Sequence, residues 1–185
     1  MMPWIIACSS LLITLSAAVA DDVPAKAQIC IACHGQKGVS QNSQWPSLAG
    51  QKAGYLVVQI RAFRDGARKS PEMAPFVDNL SDQDIAELAS YYSAQTPGVA
   101  ANGDTSLVDR GENLSAYCTA CHGMNGTPVA ETWPVIAGQG AAYLFRQLAA
   151  FKGGARVHPH MQAAVNRFGD DQFVALAAYY SQLEP

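Results

Sequence analysis

Cysteine is scarce in this sequence, and basic residues do not outnumber acidic ones. Only five of the 185 residues are cysteine. The chain carries 12 Lys and Arg against 15 Asp and Glu, so it lacks the basic stripe that favours nucleic-acid binding. No strand pattern surrounds the cysteines, which argues against a redox dithiol of the thioredoxin kind. The few cysteines are therefore the residues most informative about function.

Charged side chains are absent from the first twenty residues. The run from Ile5 to Val19 is mostly apolar, and small residues at Ala18 and Ala20 precede Asp21, as at a secretory cleavage site. We predict a signal peptide over residues 1–20, cleaved after Ala20, and export to the periplasm. The segment departs from the usual pattern because no Lys or Arg begins it. A retained membrane anchor is the alternative, although the run is short for the about 20 residues that span a bilayer.

Four of the five cysteines belong to two copies of the motif Cys-x-x-Cys-His, which begin at Cys30 and Cys118. This motif attaches c-type haem: its thiols add across the haem vinyl groups and its histidine ligates the iron. A redox dithiol or half of a zinc site is the alternative for such a pair. The histidine that follows in both copies favours haem. We predict two covalently bound haem c groups, with thioether bonds at Cys30, Cys33, Cys118 and Cys121.

The motif is part of a long internal repeat. Adding 88 to residue numbers of the first half recovers the second half without a gap, so that Trp45 falls on Trp133 and Tyr92 on Tyr180. A period of this length is that of one small domain, too long for a solenoid repeat. Apolar spacing predicts helices separated by loops, hence an all-α protein. The predicted organisation is two tandem domains and a turn-rich linker, at residues 21–97, 109–185 and 98–108 respectively.

The histidines that close the two motifs, His34 and His122, are the predicted axial ligands on one side of each iron. The other ligand must come from the same domain. Met73 and Met161 occupy equivalent positions, each in a predicted loop about 39 residues past its histidine. A single methionine is more often core filler, but the shared register favours iron ligation. His/Met ligation is a known haem arrangement.

Three residues of the second half fall outside the duplicated plan: Met124, His158 and His160. The first half holds other residue types at the equivalent positions: Gln36, Ser70 and Glu72. His160 in place of Met161 is the alternative iron ligand, and it would lower the reduction potential. Because the two histidines lie near only the second methionine, we expect them to split the two reduction potentials, with the sign left open.

Two prolines and three arginines are candidates for supporting roles around the haem groups. Pro46 and Pro134 each follow their histidine by 12 residues. A ligating imidazole normally donates its other N–H to a nearby acceptor, and the proline carbonyl is a candidate for it. An ordinary turn proline is the alternative. The candidates for propionate partners, or else for solvated surface charge, are Arg64, Arg68 and Arg156.

The order of these motifs resembles a class I c-type cytochrome, with Pro46-Ser47-Leu48 and Pro134-Val135-Ile136 after the haem motifs. The tandem form, with Ala49-Gly50-Gln51 and its second copy, resembles the dihaem cytochrome c4 family over nearly all of the mature chain. The resemblance implies two class I domains related by a pseudo-twofold axis, with the haem propionates approaching each other at their interface. It also implies a periplasmic protein, often loosely membrane-associated, that carries electrons toward terminal oxidases.

The first functional hypothesis is an electron carrier without enzymatic activity, because an iron with two protein ligands has no vacant position for a substrate. From the resemblance, its donors would be a quinol-oxidising complex and its acceptors a terminal oxidase or reductase, with the chain a monomer. One alternative is the cytochrome subunit of a larger, flavin-dependent dehydrogenase. Another is a dihaem peroxidase, which would need one open coordination site.

Overall fold

Residues 23–185 are described in this computed structural model, and the predicted signal peptide lies outside them. Across this range the chain forms helices and no strand, which confirms the all-α prediction. No helix between residues 23 and 185 is long and apolar enough to cross a membrane. The α-helices are α1 Ile31–His34, α2 Ala53–Arg64, α3 Ala74–Val77, α4 Asp82–Ser93, α5 Val108–His122, α6 Ala141–Lys152, α7 Pro159–Val165 and α8 Asp170–Gln182.

The two halves repeat the same helices but differ at their starts. Helix α2 and helix α6 coincide under the 88-residue offset, and α4 begins at the position equivalent to the start of α8. The first haem motif instead begins at the last residue of a six-residue 3₁₀ helix, Ala25–Cys30, and ends in the single turn of α1. The second haem motif ends the 15-residue helix α5. Helical residues therefore lead into each motif, with different geometry in each half.

A close helix crossing lies near the start of α5. Helix α5 packs against α8 through Gly111, where an added Cβ would lie only 2.1 Å from the carbonyl oxygen of Ala175. Only glycine permits the two helix backbones to approach this closely. The equivalent residue of the first half is Val23, which belongs to no helix. The second domain thus has a helix pair that the described residues of the first domain do not reproduce.

Each half has its own hydrophobic core. In the first half the core forms around Leu56, Leu88 and Tyr92, and in the second around Leu144, Phe173 and Tyr180. Neither cluster contains a residue of the other half, as far as residues 23–185 are concerned. Apolar burial therefore stabilises the two domains separately, and the contacts that join them are of another kind.

The predicted linker is attached to the second domain. The amide of Ala100 donates to the carbonyl of Gly138 at 2.9 Å, and that of Ala101 to the carbonyl of Ser181 at 2.9 Å. The side chain of Asn102 accepts from the amide of Ala141 at 2.9 Å, at the start of α6. These bonds fix the path of the chain between the domains. The domain boundaries at residues 97 and 109 stay predictions.

Helix α4 begins with a capping box, and this leads to a stability prediction. The Ser81 hydroxyl accepts from the amide of Asp84 at 3.1 Å, and the Asp84 carboxylate accepts from the amide of Ser81 at 2.8 Å. We expect Ser81→Ala to lower the free energy of unfolding by about 1 kcal/mol, as loss of an N-cap does. Urea unfolding at pH 7 measures it. Ser90→Ala, exposed on the same helix, is the matched control.

The same cap should be sensitive to acid. Lys26, 2.6 Å away, and Ser81 lower the pKa of Asp84 to about 2. A carboxyl group whose pKa is lower when folded stabilises the protein above its ordinary pKa of about 4, and this stability is lost as the pH falls toward 2. We expect Asp84→Asn to be less stable than the native chain at pH 7 and equal to it near pH 2. A constant difference across that range would contradict this account.

Candidate functional site

Two buried histidines occupy equivalent positions at the ends of α1 and α5. His34 and His122 are each 7% exposed. The Nδ1 atom of His34 lies 2.8 Å from the carbonyl oxygen of Pro46, and that of His122 lies 3.0 Å from the carbonyl oxygen of Pro134. A carbonyl can only accept, so Nδ1 donates and Nε2 is left as the basic nitrogen of the ring. The expected proline acceptors are confirmed, and they prepare both rings to ligate a metal through Nε2.

Burial also fixes the charge of these rings. It lowers the pKa of both histidines, and the proline carbonyls offset this only in part. The imidazoles are therefore neutral at physiological pH, which is the form that ligates iron. Gly123 ends α5 directly after His122 with φ of +78°, a left-handed conformation that favours glycine. This turn returns the chain so that the loop carrying Pro134 lies against the histidine.

The four motif cysteines form no disulfide in the structure. Cys30 packs against the first core and Cys118 against the second. Burial raises the pKa of both thiols, which disfavours the thiolates that a redox dithiol or a zinc site needs. No group of three or more His, Cys, Asp or Glu in residues 23–185 could hold a metal ion. These surroundings suit uncharged thioethers, so the residues fit an attached haem; the individual thioether bonds stay predictions.

The two methionines lie where helices begin and not in open loops. Met73 is the N-cap of α3, and Met161 lies in the first turn of α7. Both are half-buried, and Met161 packs against the second core. The expectation of a loop was therefore wrong for Met161, because Pro159 at the first position of α7 starts the helix two residues earlier. Ligation of the two irons by Met73 and Met161 stays a prediction.

The rival residues of the second half are all exposed. Met124 is 77% exposed, so it is not core filler. His158 and His160 are also exposed, with ring centroids 5.7 Å apart. Partial desolvation lowers the pKa of His158, and its neighbours His160 and Arg156 lower that pKa further. Their position beside Met161 has no counterpart in the first domain, as the repeat indicated.

The domains are joined by two buried glutamines, which sequence reasoning missed. We call these two contacts the glutamine clasps. In the first clasp, Gln51 donates from Nε2 to the carbonyl of Val135 at 2.9 Å and accepts at Oε1 from the amide of Val135 at 2.8 Å. In the second clasp, Gln139 donates to the carbonyl of Ser47 at 3.0 Å and accepts from its amide at 2.8 Å. Both glutamines are 6% exposed. The only sequence signal was their repetition at the 88-residue offset.

A second network crosses the same interface and carries two positive charges. Arg68 donates to Gln59 and Gln147 at 2.8 Å each, and Arg156 donates to the same two side chains at 2.7 Å each. Arg156 also donates to the Tyr55 hydroxyl at 2.8 Å. Among residues 23–185 neither guanidinium has a carboxylate partner. Two guanidiniums bound only by neutral groups leave positive charge that haem propionates would balance.

Arg68 and Arg156 lower the pKa of a nearby tyrosine. Arg64 does not belong to this arginine pair. Burial alone would raise the pKa of Tyr143, but the charges of Arg68 and Arg156 lower it. Arg68 also donates to the hydroxyl of Tyr143 at 3.3 Å. Arg64 instead pairs with Asp65 and Asp82, both at 2.9 Å. The structure therefore favours Arg68 and Arg156 as propionate partners and leaves Arg64 as surface charge.

Comparisons with known proteins agree with this arrangement. Residues 25–91 match the family described as "Cytochrome C oxidase, cbb3-type, subunit III", and residues 108–184 match the family described as "Cytochrome c". Cytochrome c4 of Pseudomonas aeruginosa is 35% identical over 173 residues, which cover 86% of this chain and 86% of that protein. The thiosulfate dehydrogenase electron acceptor of Thiomonas intermedia is 38% identical over 145 residues, covering 72% of this chain and 67% of that protein.

A solved structure resembles the whole fold. The crystal structure of reduced recombinant cytochrome c4 from Pseudomonas stutzeri superposes with a TM-score of 0.81 at 32% sequence identity. The match covers 85% of this chain and 95% of that one. The similarity therefore extends to both domains and to their mutual arrangement.

Proposed function

Since the chain belongs to the cytochrome c4 family and is a dihaem electron carrier with two covalently bound haem c groups, we propose that it shuttles electrons in the periplasm without catalysing a reaction of its own. One observation carries the proposal: His34 and His122 are held alike by the Pro46 and Pro134 carbonyls, with Met73 and Met161 in matching register. Iron with a histidine and a methionine ligand changes oxidation state with little rearrangement.

The residues around each haem support transfer and not substrate turnover. His34 and His122 are buried, and their neutral rings are fixed by a backbone carbonyl that cannot move away. Methionine ligation and haem burial raise the reduction potential. Arg68 and Arg156 lie at the domain interface, where they would hold the propionates of the two haems near each other. Electrons would then pass between the haems within one chain.

The partners we propose are a quinol-oxidising complex as donor and a terminal oxidase or reductase as acceptor. A second candidate rests on the similarity to a thiosulfate dehydrogenase electron acceptor. In that case a periplasmic dehydrogenase would reduce this chain. Mixing the oxidised protein with each donor in a stopped-flow experiment separates the two, because only the physiological donor should reduce both haems at a catalytically competent rate. Cell fractionation tests the proposed periplasmic location.

Carbon monoxide tests the electron-carrier proposal directly. We expect the optical spectrum of the reduced, haem-loaded protein to be unchanged by carbon monoxide, because both irons keep two protein ligands. A c-type cytochrome with a known open coordination site serves as the positive control. A spectral shift in about half of the haem would mean that one ligand is absent or labile, and the peroxidase hypothesis would then replace the electron carrier.

A further inference from the structure

Each glutamine clasp binds the same peptide group that supports the histidine of the opposite domain. The carbonyl of Pro46 accepts from His34, and the N–H on the other side of that peptide bond belongs to Ser47. That N–H donates to Oε1 of Gln139, which belongs to the second domain. The order of groups is therefore imidazole, carbonyl, peptide N–H and glutamine amide, across the domain interface.

The same order of groups runs from the histidine of the second domain to the glutamine of the first. His122 donates to the carbonyl of Pro134, and the N–H of the same peptide group belongs to Val135. That N–H donates at 2.8 Å to Oε1 of Gln51 in the first domain. We propose that Gln51 and Gln139 are positioning residues that adjust the reduction potential of the haem in the opposite domain, by acting on its axial histidine through one peptide group. This inference rests on the proposed function.

The physical cause is the polarisation of linked hydrogen bonds. When an amide N–H donates, its carbonyl oxygen becomes more negative and accepts more strongly, and neighbouring bonds in such chains strengthen one another by about 10–30%. A stronger acceptor at Nδ1 raises the basicity of the ligating imidazole. A more basic ligand stabilises ferric iron. Each glutamine should therefore lower the reduction potential of the opposite haem.

The geometry holds the two amides in the orientation that this role needs. Oε1 of Gln51 also accepts from the amide of Lys52 at 2.9 Å, and Oε1 of Gln139 accepts from the amide of Gly140 at 3.1 Å. Each Nε2 donates to the next carbonyl of the opposite loop. With both ends of each side-chain amide bonded and 6% exposed, the acceptor oxygen cannot turn away from the peptide. A glutamine that only filled the interface would not require this alignment at both haems.

The crossed arrangement makes the test specific. Gln51→Met keeps the side-chain volume and removes the acceptor. It should shift the reduction equilibrium of the second haem about threefold toward the ferrous form, which is roughly 30 mV at 59 mV per tenfold for one electron. The first haem should not move. Gln139→Met should shift the first haem in the same direction and leave the second haem unchanged. Redox titration followed by NMR, with the two haems assigned, measures both.

A second readout does not depend on the potentials. The Nδ1 proton resonance of His122 should move to higher field in Gln51→Met, and that of His34 in Gln139→Met, because each hydrogen bond weakens. Gln51→Leu supplies a second variant should Gln51→Met fail to fold. It likewise offers no acceptor to the amide of Val135, so the potential of the second haem should rise as in Gln51→Met.

The control removes another contact across the same interface. Lys52 and Glu131 form an ion pair at 3.5 Å, and neither touches a proline peptide. Glu131→Gln should leave the two potentials and both Nδ1 protons in place. Equal shifts of both haems in Gln51→Met, a shift of the haem in the same domain, or no shift at all would overturn the inference. The carbon monoxide spectrum tests the proposed function separately, so either can fail alone.

Discussion

Met161→Ala is expected to open one coordination position on the second iron and to leave the first haem unchanged. Met161 packs at the edge of the second core in the first turn of α7, and its counterpart Met73 lies at the start of α3. Without the thioether, water would take the ligand position and would favour ferric iron. The potential of the second haem should fall by on the order of 0.2 V, within the about 0.8 V that axial ligands span.

Carbon monoxide and redox titration measure this change together. About half of the reduced haem in Met161→Ala should bind carbon monoxide, and Met73→Ala should give the same result for the first haem. Met124→Ala is the matched control, since that methionine is 77% exposed and should change neither property. If Met161→Ala leaves the spectrum unchanged while His160→Ala opens the site, His160 is the ligand and the methionine assignment is wrong.

Phe173→Ala is expected to destabilise the second domain by about 3–5 kcal/mol, the usual cost of removing a buried phenylalanine. Phe173 lies on α8 with no exposed surface, in a core that contains only residues of the second half of the chain. Its equivalent in the first domain is Ile85, which is also fully buried. Because the cores are separate, the loss should appear first in the second domain.

Denaturant unfolding followed by the two haem spectra tests this. The second haem should lose its native spectrum at lower denaturant than the first. Ile85→Ala should reverse the order, at a cost of about 2–5 kcal/mol. Val174→Ala is the control, since the next residue of α8 is 41% exposed and should change stability by less than about 1 kcal/mol. Simultaneous loss of both spectra in Phe173→Ala would show that the domains unfold as one unit.

Much of this architecture could be predicted because duplication doubles every signal. The 88-residue offset identified helices α2 and α6 as equivalents, and their bounds coincide under it. The proline carbonyls could be predicted because a ligating imidazole needs an acceptor, and the loop that follows each motif brings one within reach. These features depend on local sequence and on known requirements of haem ligation.

Other features depend on contacts that leave no local pattern. Periodicity could not distinguish the single turn of α1 from the long helix α5, and the crossing at Gly111 depends on a contact with Ala175 that leaves no local pattern. The glutamine clasps join residues more than 80 positions apart through backbone groups. Arg64 and Arg68 could not be separated either, since both are arginines near one helix end and only the fold shows which faces the other domain.

The clasps recognise no side chain of the loop they bind. Their partners are the N–H and C=O of Ser47 in one direction and of Val135 in the other, so a polar and an apolar residue are bound alike. Two identical copies of either half would offer each other the same pair of contacts, as in an isologous dimer. The clasps therefore place no demand on the identity of these loop side chains. The two halves can differ in sequence there, and so in the surroundings of each haem, while the clasps still join the domains.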